Sequence, residues 1–88
     1  MNELPEHRIK RLAMRSMRRG IKEMDIILSA YATQNLDKMD EATIQLYDVL
    51  LDENDQDLYQ WVTGQVPAPE KFKQMIARIS VQMQGKSA

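Results

Sequence analysis

The chain has 88 residues, no cysteine and a net charge of −1. That is the size of one domain with a small core, able to bury between ~60% and ~68% of its unfolded surface. The missing thiol excludes disulfides, thiolate catalysis and cysteine-ligated metal, and no apolar run approaches the ~20 residues of a membrane span.

Taken in chain order, the pattern is helical throughout. Ile9, Leu12, Ala13 and Met17 recur at helical spacing and predict a first helix over roughly 6–18. Ile21, Met24, Ile27, Leu28 and Tyr31 predict a second over roughly 21–34. Asn35-Leu36-Asp37-Lys38 reads as a connection. Asp40 is a good N-cap, since its carboxylate can accept from the free N–H groups at a helix start. The third helix then runs to about Leu51, with Ile44, Tyr47, Leu50 and Leu51 on one face.

The stretch "DENDQD" interrupts the apolar pattern. Asn54 or Asp55 can cap a short fourth helix carrying Leu58, Trp61 and Val62, and Gly64 ends it as a C′ glycine. Each proline in "QVPAPE" disfavours helix in the residue before it, so this segment is extended. Pro69 can serve as the first residue of a fifth helix bearing Phe72, Met75, Ile76, Ile79 and Met83, which Gly85 stops. No run shows sustained strand alternation. The expectation is an all-α bundle of five helices in a single domain over 1–88, its ordered core roughly 8–84. Glu6, His7 and the end past Gly85 are expected to fray.

Charge is segregated along the chain. Residues 1–24 carry seven basic and three acidic side chains, net +4, whereas 25–57 carry one basic and nine acidic, net −8. This predicts a basic end and an acidic end, which bears on partners rather than on fold. The first six residues, Met1-Asn2-Glu3-Leu4-Pro5-Glu6, hold acid early and show neither a secretory signal nor a transit pattern. A soluble, cytoplasmic bacterial protein is the expectation that follows.

Catalytic chemistry finds little support. His7 is the only histidine, lies near the start with no Ser or Cys nucleophile close by, and reads as solvated. The three glycines are isolated, so there is no phosphate loop. "DENDQDLYQWVT" fails as a calcium loop, because Asp57 stands where the turn glycine belongs and Thr63 where the bidentate glutamate belongs. The seven methionines fall mostly on helix faces and read as core filler, with Trp61 as a core anchor.

One stretch remains, "SMRRGIKEMDIIL". An interior glycine costs a helix about 1 kcal/mol relative to alanine. Arg19 and Glu23 are four apart, but an exposed pair in that order contributes only about 0.3–0.5 kcal/mol and does not explain Gly20. One reading is that Gly20 ends the first helix with positive φ, with arginines before it and Glu23 after it complementing the two helix dipoles. Another is that a residue without a side chain leaves a notch among Arg15, Arg18, Arg19, Glu23 and Asp25, where a partner's backbone can approach. From the residues alone this is an interaction module. A small helical DNA-binding or regulatory protein is the alternative, although "GQVPAPE" is too long and rigid for the tight turn of a helix-turn-helix.

Arg19-Gly20-Ile21-Lys22-Glu23-Met24-Asp25 resembles the RGxxE motif, with its following acid, of the small flavinylation factors for succinate dehydrogenase, known in mitochondria as succinate dehydrogenase assembly factor 2. "RIKRLAMRSMRRG" is similar to the family's arginine-rich first helix. The second block, "NLDKMDEATIQLYDVLLDENDQDLYQWVTGQ", resembles its long signature, with Asp55, Asp57, Leu58, Trp61, Val62 and Gly64 in the D-x-D-L and W-[IV]-x-G positions. The two blocks, in order, cover roughly residues 8–72. The resemblance implies a five-helix fold and a non-enzymatic assembly factor. Such a factor binds the flavoprotein subunit of succinate dehydrogenase, and of fumarate reductase where present, and promotes covalent attachment of FAD to a histidine of that partner. It implies that FAD is the client's cofactor and is not stably bound here; no nucleic-acid partner and no membrane insertion are expected, and the free protein is expected to be a monomer. Carried over by motif position, Arg19, Gly20 and Glu23 form the docking core, Arg15 and Asp25 support it, and Arg18 adds charge. Asp55, Leu58 and Trp61 are structural in this reading.

Overall fold

A computed structural model of the chain describes residues 3–85. Among them are five α-helices and no strand: α1 (Pro5–Met17), α2 (Lys22–Asn35), α3 (Glu41–Leu50), α4 (Asp55–Val62) and α5 (Lys73–Gly85). Short 3₁₀ turns at Leu36–Lys38 and Glu70–Phe72 lead out of α2 and into α5. The all-α expectation is correct, and each predicted helix exists within a few residues of its expected bounds.

Local chemistry explains the ends. Asp40 accepts from the Thr43 N–H at 2.8 Å and Asn54 from the Gln56 N–H at 2.7 Å, so both acidic-segment helices begin on a side-chain cap. After α4, Gly64 takes φ +83°. Its N–H donates to the Trp61 carbonyl at 3.2 Å and the Gln65 N–H to the Gln60 carbonyl at 2.9 Å, the paired closing bonds of a Schellman motif. Pro69 is not the first residue of α5. It precedes the 3₁₀ turn, whose Phe72 N–H donates back to the Pro69 carbonyl at 2.9 Å. Pro5 instead opens α1, so Glu6 and His7 lie in a helical first turn. The expected fraying past Gly85 falls outside the described residues.

The core gathers one stripe from every helix. Leu12, Met24, Leu28, Tyr47, Leu50, Leu58, Val62, Phe72 and Ile79 are essentially solvent-free. Central α2 packs against α1, α4 and α5. On α1 the pattern departs from expectation: Met17 is 57% exposed and Ser16 is fully buried in its place. The Ser16 hydroxyl donates to the Leu12 carbonyl at 2.8 Å, and a second bond of 2.6 Å joins it to the Tyr47 hydroxyl. A buried hydroxyl pair satisfied this way specifies how α1 docks on α3, since a shifted helix would strand both groups. Burial pushes the Tyr47 phenol up to about 12. Met24 and Met75 are core residues as expected, but Met14 joins Met17 at the surface. Trp61 is partly buried at the edge of the core, its ring 6.0 Å from that of Phe72.

Two substitutions separate these effects. Gly64→Ala should cost about 1–2 kcal/mol, because the left-handed backbone, not crowding, opposes a side chain there. Tyr47→Phe should cost about 1 kcal/mol, a fall in Tm of roughly 4–8 °C, with Ser16 still held by Leu12. Thermal unfolding followed by circular dichroism reads both.

Candidate functional site

The corner between α1 and α2 is built from the RG pair outward. Arg18 leaves the helix at φ −118°, ψ 56°, and Ile21 caps α2 in an extended conformation. Four residues, 18–21, therefore turn the chain. Gly20 does not have the positive φ expected of it; Gly64 is the only described residue in that region. The break is made by Arg18, and the glycine is needed for another reason.

That reason is Asp55, thirty-five residues away at the start of α4. The Gly20 N–H donates to Asp55 Oδ2 at 2.5 Å, while Arg19 Nε donates to Oδ1 at 2.6 Å. A Cβ built on Gly20 would lie 3.1 Å from Oδ2, and no other atom outside its own neighbourhood comes within 4 Å. Gly20 thus permits the close approach of one carboxylate to the backbone. Arg19 extends further, donating from Nη1 to the Leu51 carbonyl at 2.8 Å and from Nη2 to the Glu53 carbonyl at 3.0 Å. These carbonyls lie at and just past the end of α3, where helical partners run out. A single guanidinium thereby closes α3, holds the start of α4 and fixes the corner of α1 and α2. The Arg19 side chain is 9% exposed and that of Asp55 15%.

The remaining arginines of α1 continue the same face. Arg8 forks onto Glu41 at 3.0 and 2.6 Å. Arg11 reaches Asp48 at 3.1 and 2.9 Å and also holds Glu3. Arg15 donates to Asp48 at 2.7 Å and Asp52 at 2.6 Å. Arg8, Arg11 and Arg15 are spaced by helical turns on α1, and they lie against Glu41 and Asp48 of α3 and Asp52 just past its end. The predicted basic end and acidic end are corrected here: segments of opposite charge in sequence lie against each other in space. Glu41 is pulled down to about 2 by the Arg8 fork and by Gln45, and Asp48 is lowered chiefly by its hydrogen bond from Arg11.

The six candidate residues therefore divide. Arg15, Arg19 and Gly20 are engaged within the protein, which corrects the expectation that Arg19 is aimed at a partner. Arg18 and Glu23 are exposed and make no hydrogen bond or ion pair with the described residues, so the Arg19–Glu23 pair does not form. Asp25 is half-buried in the first turn of α2, where the helix dipole favours its charge; its Oδ1 is buried without a hydrogen bond from the described residues. Sequence reading missed Asp48 and Asp52 altogether, although their spacing matched that of the arginines. Among the described residues no group of three or more His, Cys, Asp or Glu is placed to hold a metal ion. No described helix is long and apolar enough to cross a membrane.

The fold and corner define a small all-α protein whose Arg-Gly pair is tied to a distant aspartate. Residues 10–83 match the family model described as "Flavinator of succinate dehydrogenase", and the chain belongs to that family. It is 43% identical over 65 residues to the mitochondrial succinate dehydrogenase assembly factor 2 of Schizosaccharomyces pombe, covering 74% of this chain and 47% of that protein. The Meyerozyma guilliermondii protein of the same name is 39% identical over 74 residues, 81% of this chain and 55% of its own length. That of Saccharomyces cerevisiae is 40% identical over 74 residues, 81% and 46% respectively. The chain spans about half the length of the curated relatives it matches. All three relatives are named as mitochondrial, which overturns the cytoplasmic expectation. That expectation rested on the composition of the first six residues, and matches covering half of each relative give those residues no such weight.

The clamp and the ladder should differ sharply in strength. Asp55→Ala leaves a nearly buried guanidinium unpaired and should cost about 3–5 kcal/mol in urea unfolding. Asp52→Ala removes a pair whose carboxylate is 73% exposed and should cost less than about 1 kcal/mol. Lowered carboxylates also set the pH response: their stabilisation is present above the unfolded values near about 4 and is lost as pH falls through the folded values. The urea midpoint should therefore be flat from neutral to about pH 5 and fall towards pH 2, with a smaller fall in Glu41→Gln.

Proposed function

We propose that this chain binds the flavoprotein subunit of succinate dehydrogenase, and of fumarate reductase where present, and promotes covalent attachment of FAD to it. The observation that carries this reading is membership of the flavinator family over residues 10–83. The corner adds the means. Arg19 and Asp55 are consumed by the clamp, while Arg18, Gly20 and Glu23 are exposed, as are the nearby apolar side chains of Met17 and Ile26. A shallow groove along α1, lined by His7, Lys10, Met14 and Arg18 among others, continues this surface. Apolar patches ringed by unpaired charge of both signs suit protein docking.

In this reading the factor performs no bond-making itself. It binds the immature flavoprotein in the conformer where the linkage forms, and favours that conformer by the difference in affinity for it. In this reading FAD belongs to the client, so the purified factor should show no flavin absorbance. The basic face of α1 and its following corner offers little to nucleic acid, since Arg8, Arg11 and Arg15 on α1 and Arg19 at the corner are engaged by carboxylates.

Deleting the gene should leave the flavoprotein subunit present but poor in covalent flavin, as read by ultraviolet fluorescence of the denatured subunit in a gel. Undiminished fluorescence would overturn the proposal. Glu23→Lys should keep the helical circular-dichroism spectrum, at a cost of about 1 kcal/mol or less from reversing a charge at the start of α2, and fail to restore fluorescence. Gly20→Arg should fail in both respects, because its side chain displaces Asp55 as well as covering the corner.

A further inference from the structure

A second groove lies at the far end of α2 from the Arg-Gly corner. It has a volume of about 590 Å³ and is walled by the end of α2, the Leu36–Lys38 turn, the start of α3 and the outer face of α5. The fourteen residues of α2 separate the two places by about 21 Å. Tyr31 forms the floor, with Met39 and Val81 on the walls; Val81 is 68% exposed, the highest among the large exposed hydrophobic side chains.

Two cations line the groove, Lys38 and Arg78. Neither makes a hydrogen bond or ion pair with the described residues, in contrast to the arginines of the α1 ladder. Arg78 acts through its field: it offsets part of the rise that burial gives the Tyr31 phenol, and it adds slightly to the lowering of the Asp40 carboxylate that the Thr43 hydrogen bonds cause. The one acid of the lining, Asp40, already accepts the Thr43 N–H as the cap of α3. The groove therefore holds an apolar floor beside two cations and one carboxylate, a lining with a net positive charge.

We propose that this groove docks an acidic peptide segment of the client, with an apolar side chain seated against Tyr31, Met39 and Val81 and a neighbouring carboxylate held by Arg78 and Lys38. Charge complementarity selects an acidic segment over a neutral or basic one. That the segment belongs to the flavoprotein rests on the reading above; that it is acidic rests on the groove. With one contact at each end of α2, the factor would span two elements of its client and set their separation, which a single patch could not do.

The full-length chain, isotope-labelled for NMR, is titrated with a blocked pentapeptide alternating glutamate and leucine. The same peptide with lysine for glutamate and a single-stranded oligonucleotide serve as comparisons. The expected result is amide shifts at Lys38, Met39, Arg78 and Val81 with the glutamate peptide alone, weakened roughly tenfold or more in Arg78→Glu with an unchanged circular-dichroism spectrum. Shifts confined to the α1–α2 corner, no response, an equal response to the lysine peptide, preference for the oligonucleotide, or self-association through this face would each overturn it. Capture of the isolated flavoprotein subunit gives the second arm. Loss of capture in both Arg78→Glu and Glu23→Lys supports two-ended docking, whereas loss only in Glu23→Lys removes the groove and keeps the client. Peptide binding by a wild-type chain that captures no flavoprotein removes the client and keeps the groove.

Discussion

The architecture depends on one carboxylate. Asp55 receives the Arg19 guanidinium on one oxygen and the Gly20 backbone N–H on the other, so two helix junctions share a single anchor. Arg19 then gives one donor from each Nη to carbonyls at and just past the end of α3. Without the guanidinium those carbonyls would have to find water, and without the carboxylate a nearly buried cation would be left alone. The start of α4 is where an aspartate is best tolerated, since the helix dipole there supports its charge. Geometry, dipole and desolvation all favour the same arrangement, and for that reason a weak-looking motif holds four helices in register.

The ladder along α1 and α3 works differently. Its pairs are half-exposed, so each contributes little to stability by itself. Their value is directional. A basic helix laid against an acidic one has one favourable alignment, and shifting by a turn would set Arg11 and Arg15 off their shared partner Asp48. The buried Ser16–Tyr47 pair enforces the same alignment from the core side. The chain's net charge of −1 thus conceals internal neutralisation, which leaves Lys10, Arg18, Lys22, Lys38, Lys71 and Arg78 as cations without an ion pair among the described residues.

How much of this could be read beforehand follows from the range of each interaction. Asp40 and Asn54 were legible as caps, because the groups they satisfy lie two or three residues away. The core faces of α3 and α5 were legible because apolar periodicity is itself the packing signal. Ser16 was not, since a polar residue in the core is invisible to that signal until its partner on another helix is known. Gly20 is the clearest case. Local reasoning offered a positive φ, but its constraint is a carboxylate thirty-five residues distant, and no rule of spacing within one helix reaches so far. Family resemblance marked Arg19, Gly20 and Glu23 as a unit. Physically they are two units, a clamp facing inward and an acid facing outward.

That division bears on how a small protein could hold a larger one in a chosen conformation. A docking surface favours one conformer of its client only if it is stiffer than the client's own preference, since ordering a loose surface on binding consumes the difference in affinity. Here Arg18, Gly20 and Glu23 stand on a backbone corner already held from beneath, so contact has only their side chains left to order. The cost of this arrangement is coupling. A change at Gly20 disturbs the clamp and the surface together, and loss of activity from it cannot be assigned to either alone. Glu23 carries no such double duty, because it touches nothing within the described chain, and it is therefore the residue at which binding can be separated from folding.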